Sequence, residues 1–178
     1  DLATRCLRYL ADDTVRAIVI THGTDTLEET AWFLQSVLNA TKPVVLTCAM
    51  RPATAMAPDG PHNLLDAMAV ATAPGARGVL AVCAGVVHGA RQVQKVHPYR
   101  VDAFSSGETG PLGWVEEGYV RWAEKCLPAL CGRAQAALEK IANGAPWPRV
   151  EIVMNYAGAC GATVNALVRD GVQGLVVA

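Results

Sequence analysis

The sequence predicts an α/β protein with a parallel sheet that carries helices on both faces. Three short apolar segments, at residues 17–21, 43–48 and 78–84, are rich in β-branched residues and have the length of buried strands. Segments with helical periodicity separate them, and strands that are apolar throughout are typical of parallel sheets covered on both sides. A strand, a helix and a strand after residue 150 predict the start of a smaller α/β unit.

The first helix after the strand at 17–21 is predicted to run from Thr26 to about Asn39. Thr26 and Glu29 have the spacing of a capping box, in which the threonine caps the helix and the glutamate reaches back to it. Four apolar residues recur at helical spacing and should form the buried face of this helix: Leu27, Ala31, Leu34 and Leu38.

The next helix is predicted to begin near Pro61, because proline suits the first turn of a helix. Its inward-facing residues should be Leu64, Leu65, Met68 and Ala71. After residue 85 the pattern changes to that of antiparallel strands. The segments VVHGARQVQKV at 86–96 and GWVEEGYVRW at 113–122 each resemble a β-hairpin.

Three parts of the chain are predicted. Residues 1–122 form a first α/β domain truncated at its start, residues 123–149 form a proline-containing linker with a helical stretch around 133–142, and residues 150–178 begin a second domain. The last part is a single β-α-β unit, which is too small to be stable alone. The sequence also opens inside a helix-like segment and stops at a strand-like one, so we expect an internal fragment of a longer protein.

Composition excludes several classes of protein. The chain has 178 residues, of which 52% are hydrophobic and 17% are charged, and this excludes a disordered chain. Its apolar runs stay shorter than the ~18 residues that a transmembrane helix requires. Lysine and arginine number 15 against 16 acidic residues, so we expect neither a nucleic-acid partner nor a membrane partner.

Motifs for metals and cofactors are also absent from the sequence. The six cysteines form no C-x-x-C pair, the four histidines form no H-E-x-x-H pair, and there is no Walker A or G-x-G-x-x-G motif. Several cysteines lie inside apolar runs, where a free thiol behaves as a small hydrophobic group. This favours a reduced, cytoplasmic setting, with the periplasm as the alternative.

Candidate functional residues follow the predicted strands, because ligands of open parallel sheets bind at the carboxyl ends of the strands. Three loops lie there, at 22–26, 49–51 and 85–88. The first loop has the most functional groups. Thr24 offers a hydroxyl and Asp25 a carboxylate, and Gly23 would let the backbone approach a ligand closely. The helix amino terminus beside them would favour an anionic group.

Each of these residues also has a structural explanation. Threonine and aspartate before a helix are more often turn and capping residues than catalytic ones. Arg51 is more often a surface charge than a ligand clamp, and Lys95 in an alternating segment is more often a solvated lysine on a hairpin. The histidines are interpreted as structural or exposed: His22, His62, His88 and His97.

The chain closely resembles the bacterial-type L-asparaginases. The string ITHGTDTLEETAWFL at 20–34 matches the second signature of that family. The segments KPVVLTCAMRPATAMAPDGPHNLLDA, RGVLAVCAG, GARQVQK, GPLGWV and VMNYAGACG then follow in the family's order, over nearly the whole chain. The combination of H-G-T-D-T-x-E-E-T with a later A-M-R-P is specific.

The resemblance implies a threonine amidohydrolase that converts L-asparagine, and often glutamine, to the carboxylate and ammonia without metal or cofactor. In the family, the threonine and aspartate of H-G-T-D and a downstream lysine form one cluster; these correspond to Thr24, Asp25 and Lys95. Gly23 and the backbone carbonyl of Ala49, from A-M-R-P, would join Thr24 and Asp25 in binding substrate. The family is usually tetrameric, so a homotetramer is expected.

Departures from the family pattern limit this expectation. The family's first signature, a G-T-G-G-T-I-like segment with a second catalytic threonine, is absent from these 178 residues, and Cys160 stands where many relatives have a polar residue. We therefore expect the 178 residues alone to be inactive or nearly so, because catalytic groups act as a unit. Two alternatives remain: an asparaginase-like subunit of a tRNA-dependent amidotransferase, and a non-catalytic amino-acid-binding module.

Overall fold

A computed structural model describes residues 2–123, 139–140, 143–144 and 146–178. The chain divides into two compact units, Asp1–Ala142 and Asn143–Ala178. The helix predicted around 133–142 lies outside the described residues, apart from residues 139 and 140. The division into domains at 122 and 150 stays a prediction.

The first unit contains three helices and eight strands whose bounds lie among its described residues. Their bounds are α1 Leu2–Leu10, β1 Ile18–Thr21, α2 Leu27–Val37, β2 Pro43–Thr47, α3 Gly60–Thr72, β3 Gly78–Cys83, β4 Val86–Gly89, β5 Gln94–Lys95, β6 Phe104–Ser105, a short 3-10 turn Gly107–Thr109, β7 Gly113–Glu116 and β8 Tyr119–Trp122. Six of the strands form a mixed sheet in the order β1-β2-β3-β4-β7-β8. β1, β2 and β3 are parallel, and the remaining strands of this sheet join antiparallel. A separate ribbon pairs β5 with β6.

The core lies on both faces of this sheet, as the apolar strands predict. Every residue of β2 and β3 is buried. Since side chains alternate across a strand, Val44 and Val79 face α1 and α2, whereas Val45 and Leu80 face α3. The predicted buried face of α2 is confirmed, because Leu27, Ala31, Leu34 and Leu38 are all buried.

The predicted capping box is wrong. Thr26 does occupy the position before α2, but its side chain makes no capping hydrogen bond. Its backbone, at φ −121° and ψ 17°, lies outside the extended region that aims a capping hydroxyl at the first free N–H groups of the helix. Thr26 contributes its carbonyl instead, which accepts from the backbone N–H of Thr30 at 3.0 Å.

The predicted inward face of α3 is also wrong, except at Ala71. Leu64 is exposed, as are Leu65 at 63% and Met68 at 53% of their surface. The helix instead turns Asn63, Asp66, Ala67, Val70 and Ala71 inward. The reason lies in Asn63, whose side-chain amide bonds to backbone groups beyond the ends of β2 and β3 and thereby fixes the rotation of the helix.

The hairpin predicted at 86–96 does not form. β4 turns back along β3 through Ala84 and Gly85, which both have left-handed backbone with φ of 50° and 73°. β5 pairs with β6 instead, so that Lys95 lies opposite Phe104. The hairpin predicted at 113–122 is confirmed, with β7 and β8 joined by the left-handed residues Glu117 and Gly118.

The second unit contains the predicted β-α-β pattern. β9 at Val150–Val153 and β10 at Gly174–Val177 pair in parallel, and α4 at Ala162–Arg169 connects them. Arg149 links the start of β9 to the end of α4, because its guanidinium pairs with Glu151 and Asp170. In the part of the chain that the structure describes, no helix is both long and apolar enough to cross a membrane.

Candidate active site

The loop that leaves β1 meets Lys95 from the β5–β6 ribbon. Lys95 Nζ lies 2.8 Å from Thr24 Oγ1 and 2.6 Å from Asp25 Oδ1, although 71 positions separate Lys95 from Thr24. Thr24 Oγ1 also donates to Asp25 Oδ1 at 3.3 Å. The structure therefore brings a hydroxyl, a carboxylate and an amine into one cluster, which we call the Thr24–Asp25–Lys95 cluster.

Burial differs within this cluster. The Lys95 side chain is only 16% exposed, whereas that of Asp25 is 89% exposed. The hydrogen bond and the charge of Lys95, together with the Thr24 hydroxyl, hold the pKa of Asp25 below its ordinary value. Asp25 is therefore ionised at neutral pH and presents an open carboxylate to solvent, while the amine is held against the protein.

Glu28 fixes the position of Lys95. It lies in the first turn of α2, and its carboxylate accepts a hydrogen bond from the backbone N–H of Lys95. The loop before α2 and the β5–β6 ribbon are thus joined directly beside the cluster. In the sequence Glu28 stands out only as part of the helix start, and no local pattern links it to a residue 67 positions away.

His22 holds the other side of the same loop. Its ring lies with Nδ1 2.8 Å from the carbonyl oxygen of Gly23 and with Nε2 2.9 Å from Thr30 Oγ1. Because a carbonyl only accepts, Nδ1 carries the proton in the neutral ring and Nε2 accepts from the threonine. A Cβ at Gly23 would have nothing within 4 Å, so its neighbours leave that side of the loop open.

The second predicted loop, Ala49 to Arg51, is held by two residues that sequence reasoning missed. The carboxylate of Asp59 accepts from the backbone N–H groups of Met50 and Arg51, both at 2.8 Å. Asn63 Nδ2 donates to the carbonyl of Cys48 at 2.9 Å, directly before Ala49. An amide side chain in the first turn of α3, directly before the apolar run that begins at Leu64, is the signal that would have pointed to Asn63.

An open cleft of about 440 Å³ lies at the carboxyl ends of β1 and β2, and Thr24, Asp25 and Lys95 are not part of its lining. It is lined by the ends of β1 and β2 and by the first turn of α3, including His22, Cys48 and Ala49. Arg51 is turned away to the ring of Tyr99, where its guanidinium donates to the Tyr99 carbonyl at 2.6 Å. The cleft is thus mostly apolar, with the Ala49 loop along one wall.

The third predicted loop, at 85–88, carries no candidate site, because it is a tight turn followed by β4. His88 in β4 is buried and bonds through Nδ1 to Ser106 Oγ at 2.8 Å, and its burial lowers its pKa to about 4. His62 pairs weakly with Asp66, and His97 accepts from two backbone N–H groups of its own loop. Within the described ranges, no three metal-ligating side chains converge.

Comparison with known proteins decides the family. The family model described as "Asparaginase, N-terminal" matches residues 1–127. The chain belongs to the asparaginase family. "L-asparaginase 2" of Escherichia coli is 40% identical over 168 residues, which cover 93% of this chain and 47% of that protein. "Glutaminase-asparaginase" of Pseudomonas fluorescens is 41% identical over 175 residues, covering 97% and 47% respectively.

A solved asparaginase confirms the predicted fold. The crystal structure of a "Probable Cytoplasmic L-asparaginase" from Campylobacter jejuni superposes with a TM-score of 0.87 at 36% identity, covering 99% of this chain and 56% of that one. The α/β fold class and the asparaginase resemblance are therefore confirmed. The chain spans about half the length of the curated asparaginases that it matches.

Proposed function

We propose that the protein to which these residues belong hydrolyses the side-chain amide of L-asparagine to L-aspartate and ammonia, with Thr24, Asp25 and Lys95 as catalytic residues. One observation carries the proposal: Lys95 Nζ lies within hydrogen-bond distance of both Thr24 Oγ1 and Asp25 Oδ1. Membership of the asparaginase family supports the reaction class.

In the proposed reaction, Lys95 moves the proton and Thr24 supplies the hydroxyl. A threonine hydroxyl is a weak nucleophile until a base removes its proton, and the Lys95 amine, 2.8 Å away, can accept that proton once it has lost its own. The amide C–N bond breaks, the proton passes to the departing nitrogen, and water supplies the new carboxylate oxygen. The same hydroxyl could attack the carbonyl carbon directly or activate that water.

The substrate would be held by its α-ammonium group. Asp25 is ionised and largely exposed, so it can pair with the α-ammonium of an amino acid while still bonded to Lys95. The Ala49 carbonyl, on the loop held by Asp59 and Asn63, would accept from the reacting amide, and Gly23 would leave room for the substrate backbone. One relative is named as an asparaginase and another as a glutaminase-asparaginase, and these names support asparagine and glutamine as substrates.

The 178 residues alone are expected to release little ammonia from asparagine. They contain no G-T-G-G-T-I-like segment with a second threonine, and catalytic groups that act as a unit lose most of the rate when one is missing. The measurement is coupled detection of ammonia from asparagine with two proteins. One is the 178-residue chain, and the other is the same chain extended upstream through such a segment, which we call the extended chain.

The proposal predicts that the extended chain releases ammonia about 10³-fold faster than the 178 residues alone. Equal rates would contradict the need for the upstream segment. Failure of the extended chain on asparagine and glutamine would contradict the amidohydrolase proposal. Calorimetric binding of aspartate without turnover would then indicate a binding module, and turnover only with glutamyl-tRNA would indicate an amidotransferase subunit.

Further properties of the whole protein are proposed with it. Residues 1–122 would form most of the catalytic domain, 123–149 its linker and 150–178 the beginning of a second domain, in a homotetramer without metal or cofactor. We propose a cytoplasmic location, supported by the free thiols of Cys6, Cys48, Cys83 and Cys160 and by the name of the Campylobacter jejuni relative. One curated relative is named as periplasmic, so cell fractionation is the test.

A further inference from the structure

Two buried cysteines lie side by side where β2 and β3 end. Cys83 is the last residue of β3, and Cys48 directly follows β2. The parallel register pairs Thr47 with Val82, so Cys48 and Cys83 stand opposite each other at the next position. Their sulfur atoms are 3.5 Å apart, and both residues are buried, at 5% and 3% exposure.

The backbone at this position suits a disulfide. Neighbouring strands lie about 4.8 Å apart, and disulfides join residues whose Cα atoms are about 4.4–6.8 Å apart. A disulfide has an S–S length of about 2.05 Å. The two sulfur atoms therefore need to approach each other by about 1.5 Å from their present separation of 3.5 Å.

The two thiols are not equivalent. The two thiols share one hydrogen bond, in which either sulfur can be the donor. This contact lowers the pKa of Cys48 against the opposing effect of burial, and the charge of Lys95 adds to the lowering. The same hydrogen bond, together with burial, raises the pKa of Cys83. Cys48 also lines the cleft, whereas Cys83 is absent from its lining. Cys48 is therefore the more acidic of the two thiols and the one that a small oxidant can reach from the cleft.

We propose that Cys48 and Cys83 form a dithiol site that hydrogen peroxide converts to a reversible disulfide. The Cys48 thiolate attacks one peroxide oxygen, the O–O bond breaks, and a sulfenic acid and hydroxide result. The Cys83 sulfur then attacks the Cys48 sulfur, the S–O bond breaks, and water leaves with the proton of Cys83. In total, two thiols lose two electrons and two protons, and one peroxide becomes two waters.

The disulfide would reach the candidate active site through the backbone. Cys48 directly precedes Ala49, and Asn63 connects the Cys48 carbonyl to the N–H of Ala84 beside Cys83, at 2.9 and 3.0 Å. Drawing the two sulfurs together shifts both ends of this connection. The effect on hydrolysis rests on the proposed function, whereas formation of the bond does not.

The bond itself is tested by peptide mapping of the 178-residue chain after treatment with equimolar hydrogen peroxide. Trypsin releases Cys48 and Cys83 in separate peptides, 17–77 and 78–91, because proline follows both Lys42 and Arg51. We expect a linked pair whose mass is the sum of the two peptides less two hydrogen atoms, and dithiothreitol should separate them.

Matched variants make this result specific. Cys48→Ser, Cys83→Ser and Cys83→Ala should each abolish the linked pair, and Cys6→Ser, at another buried free thiol, should leave it unchanged. Peroxide that leaves both thiols intact, or that carries Cys48 to sulfinic acid without linkage to Cys83, would overturn the proposal. So would linkage of Cys48 chiefly to any other cysteine.

An activity measurement tests the connection to the site separately. Oxidation should raise the KM of the extended chain for asparagine by about 10-fold, a coupling of ordinary size, and dithiothreitol should reverse it. The extended chain with Cys83→Ala should keep its KM under the same peroxide. A linked peptide without any change in KM would overturn the connection to the site and leave the disulfide itself established.

Discussion

Lys95→Met in the extended chain should lower kcat for asparagine by about 10³-fold, because a positioned proton-transfer group contributes about 10²–10⁴-fold to a rate. Methionine is unbranched like lysine, is one atom shorter and carries no nitrogen, so the contacts to Thr24 Oγ1 and Asp25 Oδ1 are both lost. The change falls on kcat more than on KM, since Asp25 still offers a carboxylate to the substrate. Steady-state kinetics with ammonia detection measure both constants.

Lys42→Met is the matched control for this variant. Lys42 is partly exposed, and its ammonium donates to the carbonyl of Asp12 at 2.8 Å. Its replacement removes the same charge and should change kcat by less than about two-fold, because surface substitutions away from a site have small effects. A Lys95→Met enzyme within about 10-fold of the unchanged extended chain would contradict a proton-transfer role for Lys95.

Asn63→Asp should lower the free energy of unfolding of the 178-residue chain by about 3 kcal/mol, because a buried donor is lost and an unpaired charge is gained. The Asn63 amide donates to the Cys48 carbonyl and to Asp59, which is already a carboxylate acceptor for two backbone N–H groups. An aspartate in its place can make neither donation and faces a second carboxylate. Urea unfolding followed by tryptophan fluorescence measures the loss.

Asn39→Asp serves as the control for charge alone, because Asn39 is exposed after the end of α2 and its substitution places the same group in solvent. It should change the free energy of unfolding by less than about 0.5 kcal/mol. Asn63→Ala should fall between the two, since it removes the hydrogen bonds without adding a charge. Equal stability of Asn63→Asp and Asn39→Asp would contradict the assigned role of the Asn63 amide.

The parts of the fold that sequence predicted well are those that apolar burial decides. β1, β2, β3 and the buried face of α2 follow directly from short apolar runs and from helical spacing. The rotation of α3 could not be read this way, because one buried amide with backbone partners outweighs three leucine and methionine side chains in setting which face turns inward. The path after β3 depends on a left-handed turn at Ala84, a backbone geometry that alanine rarely adopts.

The residues of the candidate site also fall into two groups, those that the sequence could predict and those that only the tertiary fold reveals. Thr24 and Asp25 could be proposed from their place after a buried strand, where ligands of parallel sheets bind. Lys95 could not, because only the tertiary fold brings the β5–β6 ribbon to that loop, and its role came from the resemblance to asparaginases. The carboxylates of Glu28 and Asp59 accept hydrogen bonds from backbone N–H groups, Glu28 from the distant Lys95 and Asp59 from the loop at 50–51. Such contacts leave no periodic signal in a sequence.

Thr24 and Lys95 are proposed to act on one proton, and a double-mutant cycle in the extended chain tests this most directly. Thr24→Val removes the hydroxyl with little change of shape, and Lys95→Met removes the amine. If the two groups act as a unit, kcat of the double variant should lie within about three-fold of the slower single variant. Losses that multiply, so that the double variant falls by the product of the two single losses, would contradict the claim.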